Sequence, residues 1–320
     1  MSMYHATVSV VARRLWRGMV NRGVQLMSIH PEISGIMAAH NAASVVGQAI
    51  ESMLAQTFEA WELIIVDDGS TDETWDIVRA YGDPRIKPQR LQQNMGAARA
   101  RNIAVAQALG RFLAIVDSDD ISRPDRLELL AAALRRDSTL AVASGQVLHL
   151  LPDGKERHLV PYPTDEAEVS LRFRRGVMGV AHAACMIRRA TFMRYGGYHE
   201  GALFAEDLDL FLRMHRQERF INLPAVVLSY RNNPLGVDLP FWFRFHQYHE
   251  YAWYRSKITT SAVNDGGDVL DFDKWRHNLW RCRRVYTRHM MRYVKHQLTH
   301  RWARNRLRRD DQTPAHEGSP

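Results

Sequence analysis

Short apolar runs alternate with longer amphipathic stretches from Ile33 to about Gly145. The runs 33–39, 63–66, 112–116 and 140–143 carry no charge and are too short for helices, so they predict buried strands. Between them, 44–55, 72–80 and 96–109 either space apolar residues three and four apart or are rich in alanine, which predicts helices. Ser70 followed by Glu73, with Trp75 and Ile77 behind them, predicts a capping-box start for the second helix. Pro124 stands where the first residue of the helix after the 112–116 strand is expected. Such alternation predicts an α/β fold, a mostly parallel sheet flanked by helices. Sheets of this kind bind ligands in the crevice beyond the carboxyl ends of their strands. Those ends are where the carboxylates of this chain collect.

Beyond Gly145 the pattern is less regular. A proline- and charge-rich stretch at 152–164 precedes a second group of polar signatures, and after Pro240 comes an aromatic segment, 241–254. The resulting division is a basic amphipathic segment at 1–30, a main domain at 31–238 with halves 31–145 and 146–238, an aromatic and basic helical extension at 239–309, and a disordered tail at 310–320.

Composition narrows the classes. The chain is 46% hydrophobic and 24% charged over 320 residues, which suits one large core with an appendage. Cys185 and Cys282 lie far apart, which excludes a disulfide framework and a cysteine-ligated zinc. No apolar run reaches the ~18 residues of a membrane span, and Arg13, Arg14 and Arg17 interrupt any signal-peptide core. A cytoplasmic protein is expected. The net charge of +8 is uneven, because 274–309 holds many Lys and Arg residues and no Asp or Glu. Trp275, Leu279, Cys282, Tyr286, Met290 and Tyr293 recur there at helical spacing. An amphipathic helix on the anionic inner face of the plasma membrane fits this pattern, and so does a helix packed by its aromatic face on the main domain. Nucleic acid is not expected, since no recognition motif accompanies the charge.

Three acidic constellations carry the candidate chemistry. Asp67-Asp68-Gly69-Ser70 follows a strand, where carboxylates can accept hydrogen bonds from a base or ribose; an acidic turn with a helix cap reads the same way. Asp117-Ser118-Asp119-Asp120 puts three carboxylates in four residues at another strand end. They repel one another unless solvent or a cation relieves them, and a hard divalent ion does so while bridging to a diphosphate. Glu206-Asp207-Leu208-Asp209 opens an apolar helical pattern, where an acid can be either a cap or a catalytic group.

Their combination and order resemble the inverting glycosyltransferases of family 2, which have the GT-A nucleotide-sugar-binding fold. The resemblance runs from about Ile33 to Gly236. It rests on Ile36-Met37-Ala38-Ala39-His40-Asn41, Val66 to Ser70, Asn94-Met95-Gly96 through Asn102, Asp117 to Asp120, Gly196-Gly197-Tyr198-His199-Glu200 with Glu206-Asp207, and Leu223-Pro224 with Tyr230-Arg231. It implies a nucleotide-diphosphate sugar as donor, a UDP-sugar first, and a glycan or lipid-linked acceptor. Ala39 and Asn41 would lie beside the nucleoside, and Asp67 or Asp68 would bind the base. Asp117 would approach the ribose, with Asp119 at a Mn²⁺ or Mg²⁺ ion that Asp117 and Asp120 could also ligate. Arg101 would help with the phosphates, and His182 would contact the diphosphate or the acceptor. Asp207 would be the catalytic base, supported by Glu206. Ala38 and His40 replace a proline and a tyrosine usual in the opening strand, and Asn233 falls where many relatives carry histidine. No Gln-x-x-Arg-Trp signature of processive synthases occurs, which implies single additions. Two other classes remain in view. One is a catalytically silent binding or scaffolding protein on the same fold, against which the retained carboxylates argue. The other is a dinucleotide oxidoreductase, which would need a G-x-G-x-x-G turn that this chain lacks.

Overall fold

The computed structural model describes residues 30–150, 156–202 and 205–231. The N-terminal segment before His30, Asn233 and the aromatic and basic extension lie outside the described residues.

Strand β1 (Ile33–Ala39) is apolar on both sides and almost wholly buried, as a central strand must be. Helix α1 (Val46–Leu54) leads to β2 (Trp61–Asp67), then helix α2 (Thr74–Arg79), strand β3 (Ile86–Arg90), helix α3 (Ala97–Gln107) and strand β4 (Phe112–Ile115). These four strands run parallel in the order β3-β2-β1-β4, as the alternating pattern predicts. The two-residue β5 (Ile121–Ser122), helix α4 (Arg126–Arg136), β6 (Leu140–Leu150), β7 (Glu156–Val160), helix α5 (Glu166–Arg174), a 3₁₀ turn (His182–Ala184), β8 (Met186–Arg188), helix α6 (Arg189–Arg194), helix α7 (Glu206–Met214) and β9 (Arg219–Arg231) follow.

The second half extends the sheet as β4-β8-β6-β9-β5, with β7 beside the far end of β6. Here β8 is antiparallel to both β4 and β6, β6 and β9 are parallel, and β5 is antiparallel to β9. The sheet is therefore mixed beyond β4. The stretch after Gly145 is also more regular than its hydrophobic pattern suggests, because β6 and β9 run well past their apolar cores.

Two cores sandwich the sheet. On one face α1, α2 and α4 pack Val46, Ile50, Met53, Val78, Leu130 and Leu134 against Ile33, Met37 and Phe112. On the other, Phe173, Phe211 and Phe220 form a cluster with centroids 5.1–6.0 Å apart over Val142 and Ile187. Each such side chain contributes roughly 1.5–3 kcal/mol by leaving water. No helix among the described residues is long and apolar enough to cross a membrane.

Two local expectations fail. Ser70 does not cap α2, because its Oγ accepts the backbone N–H of Asn41 instead, and the helix begins later, at Thr74. Asp72 takes over, accepting from the N–H of Thr74 at 3.0 Å. Pro124 is not the first helical residue either. Its carbonyl accepts the N–H of Thr57, and α4 begins at Arg126.

Candidate active site

The one-to-one register of β1 and β2 brings Ala39 level with Asp67, so both strands end together beneath one crevice. A cleft of about 410 Å³ opens there between Ala38, Ala39, His40, Asp68, Asn94, Gly96 and Glu206. Asp67 is fully buried. It accepts from the N–H of Ser70 at 3.3 Å and pairs with Arg90 at 3.2 Å, so it shapes the turn. Asp68 lines the cleft, and its two carboxylate oxygens accept the N–H groups of Met95 and Gly96 at 2.7 and 2.9 Å. It thereby fixes the entry to α3. Asn41, at φ 49, holds the N–H of Thr71 with its side-chain oxygen at 2.9 Å. His40, whose Nδ1 lies 2.8 Å from the carbonyl of Asp68, joins the cleft wall although sequence gave it no role.

Because β4 stops at Ile115 while β1 continues, Asp117 to Asp120 leave the sheet beside the last residues of β1. Arg101, on α3, donates to Asp117 at 2.7 Å and to Glu206 at 3.0 Å. Burial works against its charge, but the two carboxylates outweigh this and raise its pKa. Burial likewise pushes Asp117 upward, yet Arg101 and His182 hold it below the usual carboxylate range. Asp119 moves the other way, raised by burial and by the charge of Asp117. Asp120 is raised further for the same reasons. Its Oδ1 accepts from the N–H of Arg231 at 2.9 Å, and its buried Oδ2 has no hydrogen-bond partner among the described residues. Beneath this loop lies Arg126, fully buried, donating to Ser122 at 2.9 Å and to the carbonyls of Ile115 and Ala183. Burial pulls its pKa down to about 10.

Crowded hard-oxygen ligands that raise one another's pKa, with an orphaned buried oxygen among them, are what a divalent cation would relieve, so the donor set fits Mn²⁺ or Mg²⁺. Among the described residues no three His, Cys, Asp or Glu side chains are gathered so as to hold an ion by themselves. An ion here would take oxygens from a bound ligand as well.

Helix α7 brings the third acidic group to the same cleft, its first turn carrying Glu206, Asp207 and Asp209 where the helix dipole favours them. Glu206 lines the cleft and is raised by burial, with Arg101 opposing. Asp207 accepts the N–H of Leu208 through Oδ1 at 2.7 Å. His182 shares a hydrogen bond of 2.8 Å with the hydroxyl of Tyr198, and burial lowers its pKa, which keeps it neutral at pH 7. Tyr198 is in turn gripped by Asn102, which accepts its N–H and donates to its carbonyl. Of the candidate residues Ala39, Asp68 and Glu206 thus line the cleft, and Arg101 joins Asp117 to Glu206. The structure turns Asp67 and Asn41 to structural bonds. Tyr198 and Arg231 stand inside motifs that carry the resemblance but received no role there, and Arg126 stands in none; all three join the site's bonding.

Comparison with known proteins agrees with this geometry. The family described as Glycosyl transferase family 2 matches residues 34–196, just over half of the chain. The chain belongs to that family. Among curated relatives, the succinoglycan biosynthesis protein ExoO of Rhizobium meliloti is 40% identical over 126 residues, 39% of this chain and 36% of that protein. The UDP-Glc:alpha-D-GlcNAc-diphosphoundecaprenol beta-1,3-glucosyltransferase WfgD of Escherichia coli is 40% identical over 106 residues, 33% of this chain and 42% of that protein. The chain thus spans less than half the length of either. Among solved structures, S. aureus TarS 1-349 in complex with UDP-GlcNAc superposes with a TM-score of 0.55 at 19% identity, over 76% of this chain and 78% of that one. The mannosyltransferase PcManGT from Pyrobaculum calidifontis, in complex with GDP-Man and Mn²⁺, gives 0.56 at 20% identity, over 81% and 74%. The fold is GT-A.

Proposed function

We propose that the chain is a non-processive, inverting glycosyltransferase that moves a sugar from a nucleotide-diphosphate donor to an acceptor hydroxyl in cell-surface polysaccharide or glycolipid assembly. The observation that carries this reading is the joining of Asp117 and Glu206 by Arg101 across one cleft. It couples the strand ends of the first half to the helix that bears Asp207. Relatives named for succinoglycan synthesis and for glucosyl transfer to a diphosphoundecaprenol-linked sugar support the pathway class and a UDP-sugar donor. The neighbours' UDP-GlcNAc and GDP-Man support a nucleotide sugar in the cleft.

In this reading Ala39 and Asp68 flank the nucleoside, and Asp117 meets the ribose. Asp119, with Asp117 or Asp120, would hold Mn²⁺ or Mg²⁺, which supplies positive charge to the leaving diphosphate. Arg101 keeps Asp117 ionised and holds Glu206 in register, and its positive charge favours the phosphates nearby. The acceptor oxygen attacks the anomeric carbon as the bond from that carbon to the phosphate oxygen breaks. The acceptor proton passes to the carboxylate of Asp207. Neutral His182, fixed by Tyr198, contacts the diphosphate or the acceptor. A location in the cytoplasm, at the membrane's inner face where lipid-linked acceptors reside, follows from the substrates proposed.

The test separates the two acids. Asp207→Asn keeps the shape but cannot take a proton, so it should bind donor nucleotide within a fewfold of wild type and lose about 10²–10⁴ in turnover. Asp119→Ala should lose metal-dependent nucleotide binding first. Isothermal titration with UDP and GDP, with and without Mn²⁺, and turnover on the matching donor read both. Near-normal turnover by Asp207→Asn would remove it as the base and put Glu206 in its place.

A further inference from the structure

Tyr230, near the end of β9, is 39% exposed, one of few large hydrophobic side chains left so open among the described residues. It is also the one that abuts the acidic loop. Its neighbour Ser229 pairs with Ile121, and its other neighbour, Arg231, bonds Asp120 through its N–H and the carbonyl of Asp119 through Nε at 3.0 Å. Successive strand side chains alternate faces. Arg231 reaches Gln48 on α1 at 2.7 Å, so Tyr230 turns to the opposite face, where α5 and α7 pack. Across the ladder its register partner is His149 on β6, with ring centroids 5.6 Å apart and planes tilted by 38°.

Topology places this pair at the far end of the site. The nucleoside crevice lies over β1 and β2, and β9 is four strand positions from β1 in the order of the sheet. The acidic loop runs from the end of β4 to β5, which pairs with β9, and so bridges the two ends. A ligand group that meets the acids from the side away from the nucleoside meets the Tyr230 ring next.

We propose that Tyr230, backed by His149, is the platform on which the acceptor's pyranose ring stacks, with its hydroxyl edge toward the acidic loop. This rests on the glycosyltransferase reading and adds the place and chemical class of the acceptor. A pyranose has apolar C–H faces and a rim of hydroxyls, which suits an aromatic plate bordered by carboxylates. An alkyl chain would desolvate those carboxylates without pairing them, and a nucleobase is taken up four strands away.

Saturation-transfer NMR on the full chain tests the platform with methyl β-D-glucopyranoside, methyl β-D-galactopyranoside and methyl N-acetyl-β-D-glucosaminide, each with UDP and Mn²⁺ present. At least one glycoside should receive saturation mainly on the protons of one ring face. Tyr230→Ala should weaken that binding by about two- to tenfold, and Tyr230→Phe should retain it within about twofold. UDP titration on the same samples reads the donor half separately. Glycoside binding that Tyr230→Ala leaves intact would overturn the platform, as would no binding of any glycoside to wild type. Failure of wild type to bind UDP or GDP would instead remove the glycosyltransferase reading itself.

Discussion

At φ 65, Gly69 lets the chain turn from Asp68 into Ser70 with no side chain in the way. A Cβ there would lie 2.4 Å from the carbonyl carbon of Gln93 and 2.6 Å from the nitrogen of Asn94, both backbone atoms. Gly69→Ala should therefore push the 93–96 segment off Asp68, cost about 1–3 kcal/mol and weaken nucleotide binding severalfold. Thermal melting and UDP titration check this, and an unchanged melting temperature would show that the segment yields freely. The same turn marks how far sequence reaches at this scale. Asp67 and Asp68 look alike as strand-end carboxylates, and only the pleat decides that Asp67 is enclosed while Asp68 faces the cleft. Arg101 enters from the sequence only through the family resemblance, as a residue near the phosphates. That it is buried against partners as distant in sequence as Asp117 and Glu206 is a tertiary fact, invisible in local pattern.

Among elements, β1 is legible from end to end, because a strand buried on both faces must be uncharged and mostly apolar, with Ser34 its one polar side chain. Strand β3 escapes that test. It sits at the sheet's edge, buries only Ile86, and contains Pro88, which an edge strand tolerates. What fixes it is polar. Buried Glu62 on β2 accepts from Ser34 at 2.6 Å and from the N–H of Leu109 at 2.8 Å, and pairs with Lys87 on β3. Burial alone would raise its pKa, but the bonds from Lys87, Ser34 and Leu109 bring it below the ordinary 4.5. A carboxylate with a depressed folded pKa contributes stability above its unfolded pKa and loses it as pH falls through the folded value. Glu62→Gln should thus cost about 1–3 kcal/mol at neutral pH, and the gap to wild type should narrow as pH falls below 4.5. Melting curves at pH 7 and in that acid window decide it; a gap independent of pH would assign the cost to packing. The start of α2 departs from its sequence pattern for a related reason, since Ser70 serves Asn41 across a loop rather than its own helix.

For the whole molecule, the order β3-β2-β1-β4-β8-β6-β9-β5 explains why three acidic motifs far apart in sequence converge. Each ends a strand or opens a helix at one edge of the sheet, and Arg101 closes the gap between the halves. The motifs and their strand-end setting are legible in the sequence, while the antiparallel insertion of β8 and the seating of α7 depend on tertiary packing. The central claim is that this edge handles a nucleotide sugar. Its most direct test is release of nucleoside diphosphate from UDP- and GDP-sugars incubated with the full chain and Mn²⁺, with chelator and with Asp119→Ala as parallel samples. The account predicts steady release from one donor, lost in excess chelator and in Asp119→Ala. Release that persists undiminished in both would contradict the metal site, and no release from any donor, with no nucleotide bound, would contradict the claim itself.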